Sequence, residues 1–130
     1  MQHRKGRTVP QRILVVEDDE AFRYVVAKCL TEAGYAVEDA ADYRDALEII
    51  NDGKPLDLML TDLMMPGVNG FALARMARMR RLDLKIMHMT SFDDAPANEA
   101  LGPLLHKPLS PEVIVSEVRQ LLATERLPVF

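Results

Sequence analysis

Hydrophobic residues along this chain form short unbroken runs that alternate with segments spaced at three and four positions, and polar caps separate the two. Residues 13–16 (Ile-Leu-Val-Val) are continuously apolar, as expected of a central strand covered on both faces. Asp19 then predicts a helix start, with Phe22, Val25, Val26, Cys29, Leu30 and Ala33 at helical spacing and Gly34 as its stop. Residues 36–40 read as a weaker strand, and Asp42 caps a helix carrying Ala46, Leu47, Ile49 and Ile50. Asp52-Gly53-Lys54-Pro55 breaks the chain before a third strand over 56–61. The loop 65–70 leads into a helix through Phe71, Leu73, Ala74, Met76 and Ala77. Residues 85–90 form a fourth strand and 104–106 a short fifth. Ser110 caps a last helix, with Pro111 in its first turn and Val113, Ile114, Val118, Leu121 and Leu122 on its core face. This alternation predicts an α/β fold: a doubly wound five-stranded parallel sheet.

One crossover breaks the rhythm. Only 16 residues separate Thr90 from Lys107, and Pro96, Gly102 and Pro103 punctuate them. A parallel connection needs about a dozen residues or more, so this one is barely long enough. The helix expected between the fourth and fifth strands is therefore shortened or missing.

Composition adds bounds. At 130 residues, 48% hydrophobic and 28% charged, the chain is one globular domain's worth. The net charge of −4 is unevenly spread. Arg4, Lys5, Arg7 and Arg12 fall in the first 12 residues with no acid, leaving 12 basic against 20 acidic residues in the rest. An acidic body counts against nucleic acid as a direct partner. The boundaries read as a flexible basic arm at 1–11, the folded domain at 12–124 and a tail at 125–130, with no effector domain following. The one cysteine, Cys29, excludes an internal disulfide and reads as a buried small hydrophobe. No run is long enough to span a membrane and the N-terminus does not make a signal peptide, so the expected location is cytoplasmic.

The chemistry lies at the strand ends. The first strand runs into Glu17-Asp18-Asp19 and the third into Asp62, while the fourth ends at Thr90-Ser91 and the fifth at Lys107-Pro108. Ligands of parallel α/β sheets bind outside the carboxyl ends of the strands, so these groups should meet in one crevice. Clustered carboxylates repel one another unless a cation neutralises them, and a hard, oxygen-seeking ion such as Mg²⁺ suits the set. A carboxylate nucleophile beside a cation, a lysine and a hydroxyl suits phosphoryl transfer to form an acyl phosphate. Taken singly, each acid is also an ordinary cap or turn residue, and Asp19 fits that role. Asp93 and Asp94 read as solvated loop acids. His3, His88 and His106 have no metal-ligand spacing and read as structural or surface residues, and the methionines at 59, 76, 79, 87 and 89 read as core fillers.

Over residues 12–124 the chain resembles the response-regulator receiver domain (CheY-like, a flavodoxin-like sheet). The motifs that carry the likeness are Ile13-Leu14-Val15-Val16-Glu17-Asp18-Asp19, Asp62-Leu63-Met64-Met65-Pro66-Gly67-Val68-Asn69-Gly70, Met89-Thr90-Ser91 and Lys107-Pro108. The resemblance implies that Asp62 accepts phosphate from a sensor histidine kinase or histidine phosphotransfer protein. It implies that Asp18, Glu17 through water, Asp62 and the main-chain oxygen of Met64 hold Mg²⁺. Thr90 is then the switch hydroxyl, Lys107 the partner of the phosphoryl group, and Lys107–Pro108 a cis peptide. Such a domain is a phosphoacceptor that assists its own phosphorylation and dephosphorylation, not an enzyme with a diffusible substrate.

Three departures from the family pattern stand out. Leu104 occupies the usual aromatic position three residues before the lysine, the fourth crossover helix is abbreviated, and Val68-Asn69 replaces methionine and aspartate. They count against the familiar threonine–aromatic switch and against dimerisation through that face, so the expected state is a monomer or weak dimer. Output is expected through binding a further protein, with the first helix and the loops around the acids as the signalling surface. Two other readings are an adaptor of the same fold that works without phosphorylation, and a Mg²⁺-dependent phosphatase of the haloacid-dehalogenase type. The latter needs a second aspartate two residues after the nucleophile, where Met64 stands.

Overall fold

A computed structural model describes residues 9–124, so most of the expected basic arm and the tail at 125–130 lie outside the described residues. Five parallel strands are present: β1 (Arg12–Val16), β2 (Ala36–Ala40), β3 (Leu58–Asp62), β4 (Lys85–Thr90) and β5 (Leu104–His106). The α-helices are α1 (Glu20–Glu32), α2 (Tyr43–Ile50), α3 (Gly70–Arg80) and α4 (Pro111–Ala123). The strand order is β2-β1-β3-β4-β5. Chain direction across the sheet reverses between β1 and β3, which opens a crevice at their carboxyl ends.

The period-2 alternation of the strands divides the core in two. Leu14, Val16, Met59 and Ile86 face Ala46, Ile50, Leu73, Ala74 and Ala77 on the α2/α3 side. Ile13, Val15, Leu58, Leu60, Met87 and Met89 face Val26, Leu30, Ile114, Val118 and Leu122 on the α1/α4 side. Caps hold the helix starts where the sequence places them. The side chains of Asp19, Asp42 and Ser110 accept from the amides of Phe22, Asp45 and Val113 at 3.1, 3.0 and 3.2 Å. Asn69 does the same for α3, accepting from the Ala72 amide at 2.9 Å. Asparagine and aspartate cap about equally well, so the replacement at residue 69 keeps this helix start.

The crossover between β4 and β5 is as short as expected. It holds one 3-10 turn, Ala97–Glu99, and then packs Gly102 directly on β4. A Cβ on Gly102 would stand 1.7 Å from the Ile86 carbonyl oxygen, so only glycine lets the chain pass so close. Sequence reasoning took this residue merely as a helix breaker.

Several core assignments need correction. Val25, Val113 and Met79 are exposed, Met79 by 77%, because α1, α3 and α4 each bury a narrower stripe than their apolar spacing implies. Cys29 is half-buried at the α1–α4 seam, not fully enclosed. Arg12, counted with the basic arm by charge, begins β1 and is buried. Its guanidinium pairs with Glu38 and Asp52 and donates to the Pro55 carbonyl at 3.1 Å, tying the start of β1 to the middle of β2 and to the loop before β3. Among the described residues no helix is long and apolar enough to cross a membrane.

Candidate functional site

Register brings the acids together. Val16 pairs with Thr61 across β1 and β3, so the next residues along, Glu17 and Asp62, leave the sheet side by side. Thr90 pairs with His106, so Lys107 emerges at the same edge from β5. Glu17 and Asp62 continue the rows of Val15 and Leu60, and Lys107 that of Leu105, which puts all three on the α1/α4 side.

Glu17 is the most enclosed of them, 1% exposed. One carboxylate oxygen accepts from the Asp19 amide at 3.0 Å, and the other accepts from Lys107 Nζ at 2.9 Å. Lys107 Nζ also lies 3.5 Å from Asp62 Oδ1, which itself accepts from the Leu63 amide at 3.0 Å. Oxygens of Glu17, Asp18 and Asp62 all fall within 4.8 Å of one another, a spacing that suits one hard cation. Three carboxylates against one ammonium leave the pocket with excess negative charge. Accordingly the Asp62 carboxyl is pushed up to about 6, first by burial and then by the Glu17 charge, with Lys107 and the Leu63 amide opposing. Burial pulls the Lys107 ammonium down, but Glu17 and Asp62 outweigh it and its pKa is raised.

The remaining predicted residues are placed as follows. Thr90 is buried at the end of β4, next to the Met89 that pairs with Asp62, and its hydroxyl oxygen accepts from the Phe92 amide at 3.0 Å. Met64 is exposed in the loop after β3. Asp18, Asp93 and Asp94 are exposed. The Lys107–Pro108 peptide is cis.

Four residues have placements at the site that the sequence reading does not assign to them. The Phe22 ring, read there only as core, lies under the Lys107 ammonium with 4.8 Å to its centroid. Arg23, next along α1, donates to the Glu17 carbonyl at 2.8 Å and to Asp39 at 3.1 Å. Gly70 begins α3 so close to β3 that a Cβ would sit 2.3 Å from the Asp62 carbonyl oxygen. His88 is fully buried two residues before Thr90, its ring edge-on to Phe71 at 5.0 Å. The first two follow the acid run by one helical turn, which is the signal that could have marked them. No local pattern marks the other two.

Comparison with known proteins agrees with this geometry. Residues 13–119 match the response regulator receiver domain. The chain is 36% identical over 119 residues to the response regulator MprA of Mycolicibacterium vanbaalenii, covering 88% of this chain and 51% of that protein. It is 36% identical over 120 residues to the response regulator receiver protein CpdR of Brucella abortus, covering 86% and 97%. The chain thus spans about half the length of the MprA proteins it matches. A crystal structure of a CheY-like receiver domain protein from Methanospirillum hungatei superposes with a TM-score of 0.79 at 26% identity, covering 87% of this chain and 94% of that one. With the strand order, the acid crevice and a match over most of its length in agreement, the chain belongs to the response regulator receiver domain family of two-component systems.

Proposed function

We propose that this chain is a cytoplasmic phosphoacceptor. Asp62 takes a phosphoryl group from a histidine kinase or histidine phosphotransfer protein in a Mg²⁺-dependent reaction, and the phosphorylated form binds a further protein. The observation that carries this reading is the convergence of three carboxylates from β1 and β3 with a lysine from β5 in one crevice.

The acid cluster fits the metal: three carboxylates offer oxygens within 4.8 Å of one another, and Lys107 pairs with two of them. Glu17, Asp18 and Asp62, with the Met64 main-chain oxygen, would hold Mg²⁺, which when bound offsets charge on the phosphoryl oxygens. The rest of the work falls to side chains of this protein. A carboxylate oxygen of Asp62 forms the new bond to phosphorus as the donor's P–N bond breaks, and the electron pair stays on the imidazole nitrogen. With acetyl phosphate as donor, a P–O bond breaks instead and the pair leaves on acetate. Lys107 exchanges Glu17 for an oxygen of the phosphoryl group, which draws its single charge toward the group that gains negative charge. Thr90 would rotate from its bond with the Phe92 amide to donate to the same group.

The test is direct. Incubation with acetyl phosphate and Mg²⁺ should add one phosphoryl group by intact mass, and Asp62→Asn should add none. Undiminished labelling of Asp62→Asn would overturn the assignment. An adaptor that works without phosphorylation would have no need of the acid cluster, and would show no saturable Mg²⁺ binding that depends on Asp18 and Asp62.

A further inference from the structure

We infer that Phe22 is a positioning residue for Lys107, holding its ammonium over the acid crevice while leaving it free to change partners. The inference rests on the phosphorylation reading and assigns a role to a side chain outside the acid cluster.

The ammonium has three N–H groups to satisfy. Glu17 takes one at 2.9 Å, and Asp62 lies at 3.5 Å. The third side is closed by the Phe22 ring, 4.8 Å from Nζ to its centroid, within the range where the negative face of an aromatic ring attracts a cation. The Lys107 side chain is only 20% exposed, so the ring replaces water that would otherwise solvate the charge.

Packing alone does not account for an aromatic here. The residues that anchor α1 to the sheet are Val26 and Leu30, both fully enclosed, whereas Phe22 is partly buried at the rim of that cluster. Leucine or methionine would fill the same rim but offer the ammonium nothing. A carboxylate or amide there would bind the ammonium by a directed hydrogen bond and compete with the group it must reach. A ring face does neither. It stabilises the cation over a range of positions, so Lys107 can leave Glu17 for a phosphoryl oxygen on Asp62 without first becoming unsolvated. The backbone adds precision, since the amide of Phe22 is the one bound by the Asp19 cap at 3.1 Å. The acid run thus fixes the start of the helix that carries the ring.

Phe22→Leu, with Phe22→Met as a second isosteric variant and Phe22→Tyr as the conservative control, tests this on the full chain. In the metal-free protein, the Lys107 ε-methylene protons should be shifted upfield by the ring in NMR spectra. That shift should vanish in Phe22→Leu and Phe22→Met and persist in Phe22→Tyr. With acetyl phosphate at saturating Mg²⁺, the maximal rate of Asp62 phosphorylation should fall about three- to tenfold in the aliphatic variants and recover in Phe22→Tyr. The Mg²⁺ dissociation constant should stay within about twofold, since the ring touches the lysine and not the acids. Unchanged rates in both aliphatic variants would overturn the inference, as would a loss that tracks weaker Mg²⁺ binding or one that Phe22→Tyr fails to restore. Wild-type protein that takes no phosphoryl group would instead remove the phosphorylation reading, and this inference with it.

Discussion

Lys107 binds Glu17 more closely than it binds Asp62, at 2.9 Å against 3.5 Å, across 90 residues of chain. Without metal, the lysine is the ion-pair partner of Glu17, a carboxylate only 1% exposed. Removing one partner of such a pair strands the other in a poorly solvated site, which is costly. Lys107→Met should therefore destabilise the metal-free protein by about 2 kcal/mol, less than a fully buried pair because the lysine retains some solvent access. Urea denaturation with a chelator measures this. Saturating Mg²⁺ should recover much of the loss, because a divalent cation supplies the missing counter-charge. An equal loss with and without Mg²⁺ would contradict this account of the pair.

Much of this arrangement was legible in the sequence, for physical reasons that can be named. A parallel sheet sends every strand's carboxyl end to one edge, so the acids after β1 and β3 and the lysine after β5 had to meet. Caps are local, and Asp19, Asp42 and Ser110 each bond the amide three residues on. Which acid Lys107 chooses depends instead on the offset of β5 against β4 and of β3 against β1, which no local pattern encodes. The same holds for Phe22 and Val25. Both fit the apolar spacing of α1, yet helix rotation turns one toward Lys107 and the other to solvent. Gly102 was read through its neighbour Pro103, whereas its role comes from the Ile86 carbonyl 16 positions earlier.

Asp62→Asn should stabilise the metal-free protein at pH 7 while blocking phosphorylation. The Asp62 carboxyl titrates at about 6 in the fold against an ordinary value of 3.8. The folded state therefore holds this proton more tightly than the unfolded chain. The associated stability is complete below about pH 3.8 and is lost as pH rises through 6. At neutral pH the charged side chain is thus a net cost, and an uncharged amide should recover about 1–2 kcal/mol. Thermal melts in chelator at pH 7 give the sign. A lower melting temperature for Asp62→Asn would contradict it.

Gly102→Ala should be among the most damaging single-methyl additions in the molecule. Its Cβ would meet backbone, the Ile86 carbonyl oxygen at 1.7 Å, and no flexible side chain is there to give way. The crossover would have to lift off β4, at a cost of about 3 kcal/mol. Gly53→Ala is the control. Its φ of +80° disfavours a side chain, but open space surrounds it, so about 1 kcal/mol is expected from conformation alone. Equal losses in the two variants would show that the crossover does not depend on this contact.

His88 and Asp62 should give opposite pH dependences over overlapping ranges, partly hiding each other in the wild-type protein. His88 is fully buried, and its ring nitrogens have no hydrogen-bond partner. Burial pulls its pKa down to about 4 from 6.5. The unfolded chain therefore takes up this proton as pH falls through 6.5, while the folded protein refuses it until about 4. Stability tied to His88 is complete above pH 6.5 and is lost on the way down to 4, at most about 3 kcal/mol. Over much of that interval Asp62 contributes in the other direction. The two side chains lie on opposite faces of the sheet, so their effects should add. His88→Leu in chelator should remain more stable than wild type at pH 5 by a wider margin than at pH 7.5. Asp62→Asn should show the reverse, with its advantage shrinking as the pH drops. The double variant should then have a pH slope flattened in both respects. If His88→Leu instead runs parallel to wild type from pH 7.5 to 4.5, the histidine accepts its proton equally in both states, and its buried, unpartnered position has no bearing on stability.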